Sequence, residues 1–320
     1  MRKVGVAVIG VGFWGKNHAR VYSELPEAEL IGICDVNFKR AKEVAEKFGV
    51  KAYANSKRLL ARGDVEAVSI CTWTTTHAKE AIKALNAGKH VLVEKPIAST
   101  IKKAKQIVEA AEKEKLILMT GFIERFNPGV EHVIEAIRKD SIGDLVSASA
   151  RRVSQWPERV GDVGVIKDSA IHDIDIMRYI FNEDPKTVFA KAGQLRHKRF
   201  EDYAQIMLTF NEGRTAFIEA NWLTPYKVRK LIVTGSKGIL TLDYLTQEIM
   251  LETEEKTLIP RHKWDEPLKR ELKHFIECIL KNKKPLASGL DGLKALIICE
   301  AALKSAEKGK SIDLEKILKL

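Results

Sequence analysis

Three glycines at fixed spacing constrain this chain more than any other feature. An apolar run over residues 3–11 leads into Gly10, Gly12 and Gly15, which form G-x-G-x-x-G as a helix over residues 15–24 begins. Gly10 permits a tight turn, Gly12 lets backbone approach a pyrophosphate, and Gly15 lets helix and strand pack closely. The helix N terminus adds N–H donors and positive potential. An acid, Asp35, closes the next apolar segment, "AELIGICD", 20 positions after the last glycine. At that spacing a carboxylate meets the ribose hydroxyls of a dinucleotide and repels a 2′-phosphate. NAD is the expected cofactor, with NADP the lesser alternative because Asn37, Lys39 and Arg40 lie close by. The other reading of Asp35 is a cap on the following helix.

The pattern then repeats. Strands "AVSICT", "HVLVEK" and "LILMTGF" alternate with helices "HAKEAIKALNAG" and "TIKKAKQIVEAAEKEK". These strands, apolar on both faces and alternating with helices, predict a doubly wound parallel α/β sheet over residues 1–122. Residues 123–320 read as a second, α+β domain. Helices are expected over 127–143 and 168–181, a strand over 144–154, and a loop from Gln155 to Lys167. Extended stretches "DYAQIMLTF", "TAFIEANWL", "KLIVTG" and "GILTLDY" follow, with turns at Asn211-Glu212-Gly213 and Ser236-Lys237-Gly238, and they predict an antiparallel sheet. Two helices, about 267–282 and 291–308, close the chain.

Composition narrows the classes. With 320 residues, 45% hydrophobic and 30% charged, and only 9 Pro and 20 Gly, the chain is neither collagen-like nor disordered. A net charge of +11 admits anionic partners: nucleic acid, acidic lipid or a phosphorylated small molecule. The basic residues are interspersed with acids on amphipathic helices, without a recognition motif, so no nucleic acid is expected. The apolar runs are too short for a membrane span, and the start lacks the cleavage site of a signal peptide. Cys34, Cys71, Cys278 and Cys299 form no metal-type pair and sit in apolar stretches, which predicts no metal and a reducing cytoplasm. The scarcity of Gln beside Lys and Glu is a bias of proteins from hot environments.

Phe13 and Trp14 stand inside the glycine loop, and Thr72 and Trp73 follow a strand at the carboxyl edge of the sheet, where ligands of this fold lie. All four are candidate cofactor contacts. For Thr74, Thr75, Thr76 and His77, cofactor contact and helix capping are both open. Glu94-Lys95-Pro96 ends another strand at the same edge, and proline holds the preceding lysine extended. There Glu94 and Lys95 can face the cofactor, and the Lys95 ammonium can hold a substrate oxygen as hydride leaves carbon. Without that context Lys95 would be an ordinary surface lysine. Asp168 and His172, four apart at a helix start, can reach one substrate hydroxyl together, His172 accepting a proton and Asp168 fixing its tautomer. The alternative is an N-cap and a packed histidine.

Taken together, "GVGFWG", Asp35, Glu94-Lys95-Pro96 and "DSAIHDID" resemble the Gfo/Idh/MocA family, the glucose-fructose oxidoreductase and inositol dehydrogenase group, over essentially the whole chain. The resemblance implies a Rossmann domain joined to a domain with an open, mainly antiparallel sheet that builds homodimers or homotetramers. It implies NAD(P)-dependent chemistry on a sugar or cyclitol hydroxyl, with Lys95, Asp168 and His172 as the catalytic group. Trp73 departs from the family's Thr-Pro-x-x-x-His loop. The longer strings "GFIERFNPGV", "DVGVIKDSAIHDIDIMRYI" and "NWLTPYKVRKL" resemble an archaeal-type branch that oxidises the C3 hydroxyl of UDP-N-acetylglucosamine with NAD. For the pyrophosphate of such a nucleotide sugar the candidates are Arg125, Arg152, Arg159, Lys227 and Arg229, with Arg125 and Arg159 first. Asn127, Asn221 and Trp222 are candidates for the acetamido sugar or uracil, with turn and core roles equally open. The alternatives are a dehydrogenase of free inositol or an unactivated sugar, and a non-catalytic dinucleotide-binding regulator, against which Lys95 and His172 argue.

Overall fold

Every residue of the first strand, Val4–Ile9, is buried, as a strand covered by helices on both faces requires. The computed structural model describes residues 2–157, 161–261 and 263–319. The chain forms two compact units, residues 1–123 with 268–293, and residues 124–267 with 294–320.

In the first unit β1 (Val4–Ile9), α1 (Phe13–Glu24), β2 (Ala28–Cys34), α2 (Phe38–Lys47), β3 (Lys51–Tyr53), α3 (Ser56–Leu60), β4 (Ala67–Ile70), α4 (Thr74–Asn86), β5 (His90–Glu94), α5 (Ile101–Lys113) and β6 (Leu118–Gly121) alternate. The six strands pair in parallel in the order β3-β2-β1-β4-β5-β6. The order reverses between β1 and β4, and the carboxyl ends of those strands make the crevice where a doubly wound sheet takes its ligand. Strand β3 was not located from the sequence because three residues on a half-exposed edge carry no period.

The second unit holds α6 (Pro128–Arg138), β7 (Leu145–Val153), α7 (Ile171–Phe181), β8 (Thr187–Gly193), β9 (Tyr203–Thr209), β10 (Thr215–Asn221), β11 (Val228–Gly235), β12 (Gly238–Asp243), β13 (Ile249–Thr253) and β14 (Thr257–Leu258). After α8 (Pro267–Lys281) and α9 (Gly289–Lys308) come β15 (Ile312–Asp313) and α10 (Glu315–Leu318). Nine strands form one sheet in the order β14-β13-β12-β11-β7-β10-β9-β8-β15, antiparallel except for the β7–β10 pair. Period-two alternation gives it two faces: Ala216, Ile218 and Ala220 of β10 are buried on the side where α7 packs, while Phe217 points the other way.

Two expectations are corrected. Residues 268–293, carrying α8 and the first turn of α9, belong to the first unit rather than to a continuous 123–320 domain. They pack on β6, where Thr120 N–H bonds to Ala287 O at 2.9 Å and a Cβ on Gly292 would lie 2.3 Å from Thr120 Oγ1. The helix expected from residue 168 begins earlier, in a π-helical turn over Ile166–Ala170, so Asp168 is no N-cap.

Candidate active site

The glycine loop is built by close approach. Gly10 has φ +89°, and a Cβ there would lie 2.8 Å from Thr72 N; a Cβ on Gly15 would lie 1.9 Å from Gly10 O. Gly12 is the N-cap of α1, and no described side chain caps that terminus, so its first-turn N–H groups face the loop. Phe13 and Trp14 stand exposed beside it, edge to face at 5.7 Å.

Asp35 is buried just past the end of β2. It accepts from Val11 N–H (2.8 Å), Asn37 N–H (2.8 Å), and Arg40 Nε and Nη2 (3.0 and 2.7 Å). Burial opposes the charge, but the Arg40 guanidinium and the two amides outweigh it and hold the carboxyl below the usual carboxylate range. The cap of α2 is Asn37, which accepts from Arg40 N–H, and this removes the capping alternative for Asp35. An uncapped helix end behind two obligatory glycines and a buried acid tied to the loop fit a dinucleotide.

Thr72 and the half-exposed Trp73 lie at the end of β4, and Trp73 is the N-cap of α4. Thr76 Oγ1 lies 2.8 Å from both Thr72 Oγ1 and Trp73 O. His77, a candidate cofactor contact, is buried with Nδ1 2.9 Å from Pro96 O and Nε2 3.1 Å from Thr72 O. It clamps the β4 loop to the turn after β5. Glu94 is likewise occupied: Oε1 accepts from His18 Nε2 (3.0 Å) and Oε2 from Lys95 N–H (3.2 Å). The Lys95–Pro96 peptide is cis and Lys95 is half-buried. His18, fully buried on α1, is a site residue that the sequence reading missed. The available signal was its place on the apolar face of α1, three residues after Gly15.

In the second unit Asp168, Ser169 and His172 are half-buried, flanked by buried Ile166, Ala170, Ile171 and Asp173. Ser169 Oγ accepts from Trp222 Nε1 (3.1 Å) and donates to Asp168 Oδ2 (3.4 Å). Trp222 is buried and edge to face with Trp156 at 6.1 Å, so it orients Asp168 and is no open contact surface.

Most of the other expected substrate contacts have protein partners. Arg125 makes a buried two-pronged bond to Asp175 (2.7 and 2.6 Å). Arg152 is buried with Nε and Nη2 on Asp173 (2.7 and 3.0 Å) and Nη1 on Glu124 (2.9 Å). These guanidinium groups bind carboxylates of the fold, which corrects their assignment to pyrophosphate. Burial pushes the Asp173 carboxyl up despite Arg152. Asn127 is buried as the N-cap of α6, accepting from Gly129 N–H (3.0 Å) and donating to Glu124 (3.2 Å) and Tyr244 O (3.0 Å). Asn221 accepts from Leu223 N–H at 3.1 Å in a turn. Arg159 lies outside the described residues. Among the described residues no group of three or more His, Cys, Asp or Glu could hold a metal ion.

The arrangement offers a dinucleotide cradle in one unit and, in the other, half-buried Asp168 and His172 four residues apart on one helical stretch. Comparison with known proteins agrees with the dinucleotide cradle. Residues 4–122 match the oxidoreductase family, NAD-binding Rossmann fold, of the Gfo/Idh/MocA group, and residues 130–241 match the Gfo/Idh/MocA C-terminal domain. The chain is 31% identical to the myo-inositol 2-dehydrogenase of Thermotoga maritima, over 98% of this chain and 99% of that protein. It is 28% identical to the UDP-N-acetylglucosamine 3-dehydrogenase of Acidithiobacillus ferrooxidans, over 90% of this chain and 93% of that one. A solved structure of the UDP-N-acetylglucosamine 3-dehydrogenase from that organism superposes with a TM-score of 0.89 at 27% identity, covering 96% of this chain and 99% of the other.

Proposed function

This chain belongs to the Gfo/Idh/MocA oxidoreductase family and binds NAD, and from that premise we propose that it oxidises the C3 hydroxyl of UDP-N-acetylglucosamine to the 3-keto sugar. The observation that carries the chemistry is the hydrogen-bonded run Trp222–Ser169–Asp168 on the half-buried stripe that also bears His172. A carboxylate held in place this way can orient an imidazole and stabilise its charged form. In this reading His172 accepts the hydroxyl proton, Lys95 holds the oxygen as alkoxide character develops, and C3 loses hydride. NAD supplies the hydride acceptor. Asp35 receives the ribose hydroxyls.

Similarity to a UDP-N-acetylglucosamine 3-dehydrogenase over nearly the whole length supports the substrate. The second reading, a dehydrogenase of free inositol, is favoured by the 31% identity to a myo-inositol 2-dehydrogenase. Initial rates of NADH formation with UDP-N-acetylglucosamine, myo-inositol and glucose separate the two. Turnover of myo-inositol alone would end the nucleotide-sugar assignment.

We also assign the open face of the second unit's sheet to self-association, as a homodimer or homotetramer. Ile232, Ser149, Phe217, Met207 and Phe189 lie in one register row across β11, β7, β10, β9 and β8. They line a shallow depression of about 740 Å³. Exposed apolar rows of this kind are what an interface covers. No helix among the described residues is long and apolar enough to cross a membrane, and the free cysteines are in keeping with a cytoplasmic enzyme.

A further inference from the structure

The register of β7 and β11 sets two arginines opposite each other, Arg152 facing Arg229, on the side of the sheet that carries Glu124 and Asp173. Like charges facing across a strand pair repel unless compensated. Arg152 is compensated, since it donates twice to Asp173 and once to Glu124 Oε1. Arg229 Nη1 lies 3.7 Å from the same Glu124 oxygen, beyond hydrogen-bond reach. One carboxylate oxygen therefore serves two guanidinium groups. Lys227 adds a third cation two residues earlier. Burial, then Arg229 and Arg152, pushes its ammonium below the usual lysine range. Burial and Arg152 push Arg229 down likewise, against the pull of Glu124, Asp173 and Asp168. About a third of the Arg229 side chain is exposed, so a ligand can reach it, and it lies within the field of Asp168.

We propose that Arg229 and Lys227 bind an oxyanion carried by the sugar, and so present its reacting hydroxyl to Asp168 and His172. A guanidinium fork beside an ammonium matches phosphate or carboxylate oxygens, and a bound anion relieves the repulsion that Glu124 leaves in place. A neutral cyclitol would desolvate the two cations without compensating them. The inference rests on the dehydrogenase reading and selects, within it, anionic sugars as the substrate class.

The test compares wild type, Arg229→Gln, Arg229→Lys and Lys227→Gln with UDP-N-acetylglucosamine, N-acetylglucosamine 1-phosphate, a UDP-linked uronate, N-acetylglucosamine and myo-inositol. Loss of a charge-assisted contact should raise KM for the anionic substrate about 10- to 100-fold in Arg229→Gln. The KM for NAD should not change, and the lysine variant should recover much of the loss. Binding of UDP, measured by competition, should weaken by a similar factor, and added salt should raise KM in wild type more than in Arg229→Gln. Preference between UDP-N-acetylglucosamine and the UDP-linked uronate, which differ by the added carboxylate, identifies whether the pair takes the phosphate or the carboxylate. Lys227→Gln carries the test if Arg229→Gln does not fold. UDP-N-acetylglucosamine oxidation that is indifferent to Arg229→Gln and Lys227→Gln overturns the inference and leaves the proposed substrate standing. Arg229-dependent oxidation of a different anionic sugar supports the inference and overturns that substrate. Preference for myo-inositol over every anionic sugar overturns both.

Discussion

His18 Nε2 lies 3.0 Å from Glu94 Oε1, a bond between two buried side chains 76 residues apart that supports the backbone of Lys95 from below. The second Glu94 oxygen accepts the Lys95 amide, so the imidazole on α1 acts on Lys95 through one carboxylate. On the other side of the turn His77 holds Pro96 O at 2.9 Å.

His18→Ala should therefore lower kcat, by about 10- to 100-fold if Lys95 shifts by the order of 1 Å, and change the KM for NAD little. The carboxylate it leaves buried should cost about 1.5–3 kcal/mol of stability in urea titration. A folded His18→Ala enzyme with wild-type kcat would show that the pair does not position Lys95.

Removing the groups assigned to the chemistry should act on turnover and not on the cofactor. Lys95→Ala and His172→Asn are each expected to lower kcat by about 100- to 10,000-fold. NAD titration followed by fluorescence should give nearly unchanged affinity. Near-normal turnover in Lys95→Ala would sink the assignment.

Asp35 sets cofactor choice through charge. In Asp35→Ala the ribose hydroxyls lose their acceptor and Arg40, now bonded to Asp35 at 2.7 Å, is released beside the same position. The KM for NAD should rise about 10- to 100-fold and the NADP:NAD preference should move toward NADP. Unchanged discrimination would remove Asp35 from the cofactor site.

Asp202 gives a pH signature. Burial works against its charge, but the amides of His197, Arg196 and Leu195 outweigh it and hold the carboxyl below the usual range. A depressed folded-state pKa contributes stability above the unfolded value of about 3.9, and that contribution is lost as pH falls through the folded value. Asp202→Asn should be less stable than wild type by about 1–3 kcal/mol near neutrality, and the difference should shrink in acid. Denaturant midpoints measured from pH 7 downward check this; a constant difference would contradict it.

The sheet face is tested by charge. Phe217, 51% exposed at the centre of the apolar row, becomes a buried cation in any dimer through that face when changed to Arg. Phe217→Arg should sediment as a monomer while wild type does not. Identical sedimentation would move the interface elsewhere.

Where the signal is local, the amino-acid order was enough. Gly10, Gly12, Gly15 and Asp35 could be read because a turn, a helix start and a strand end recur at spacings that one short segment sets. The alternation of strands and helices over the first 122 residues follows from hydrophobic period in the same way. Strands β3, β14 and β15 escaped because two or three residues carry no period, and the longer β8 and β13 were not located either.

Long side chains were different, because a charged group's role depends on which partner the fold brings to it. Arg125 meets Asp175 from 50 positions away, Arg152 meets Glu124 from 28, and Asn127 meets Tyr244 O from 117. Those encounters turned three expected ligand contacts into parts of the framework, and only the register of β7 against β11 set Arg229 beside an already satisfied Arg152. Residue order decided the cofactor-binding half, since backbone conformation and helix dipoles arise within a few turns of chain. Tertiary packing decided which cations remain for a substrate, since ion pairing is settled by distance in space and by burial.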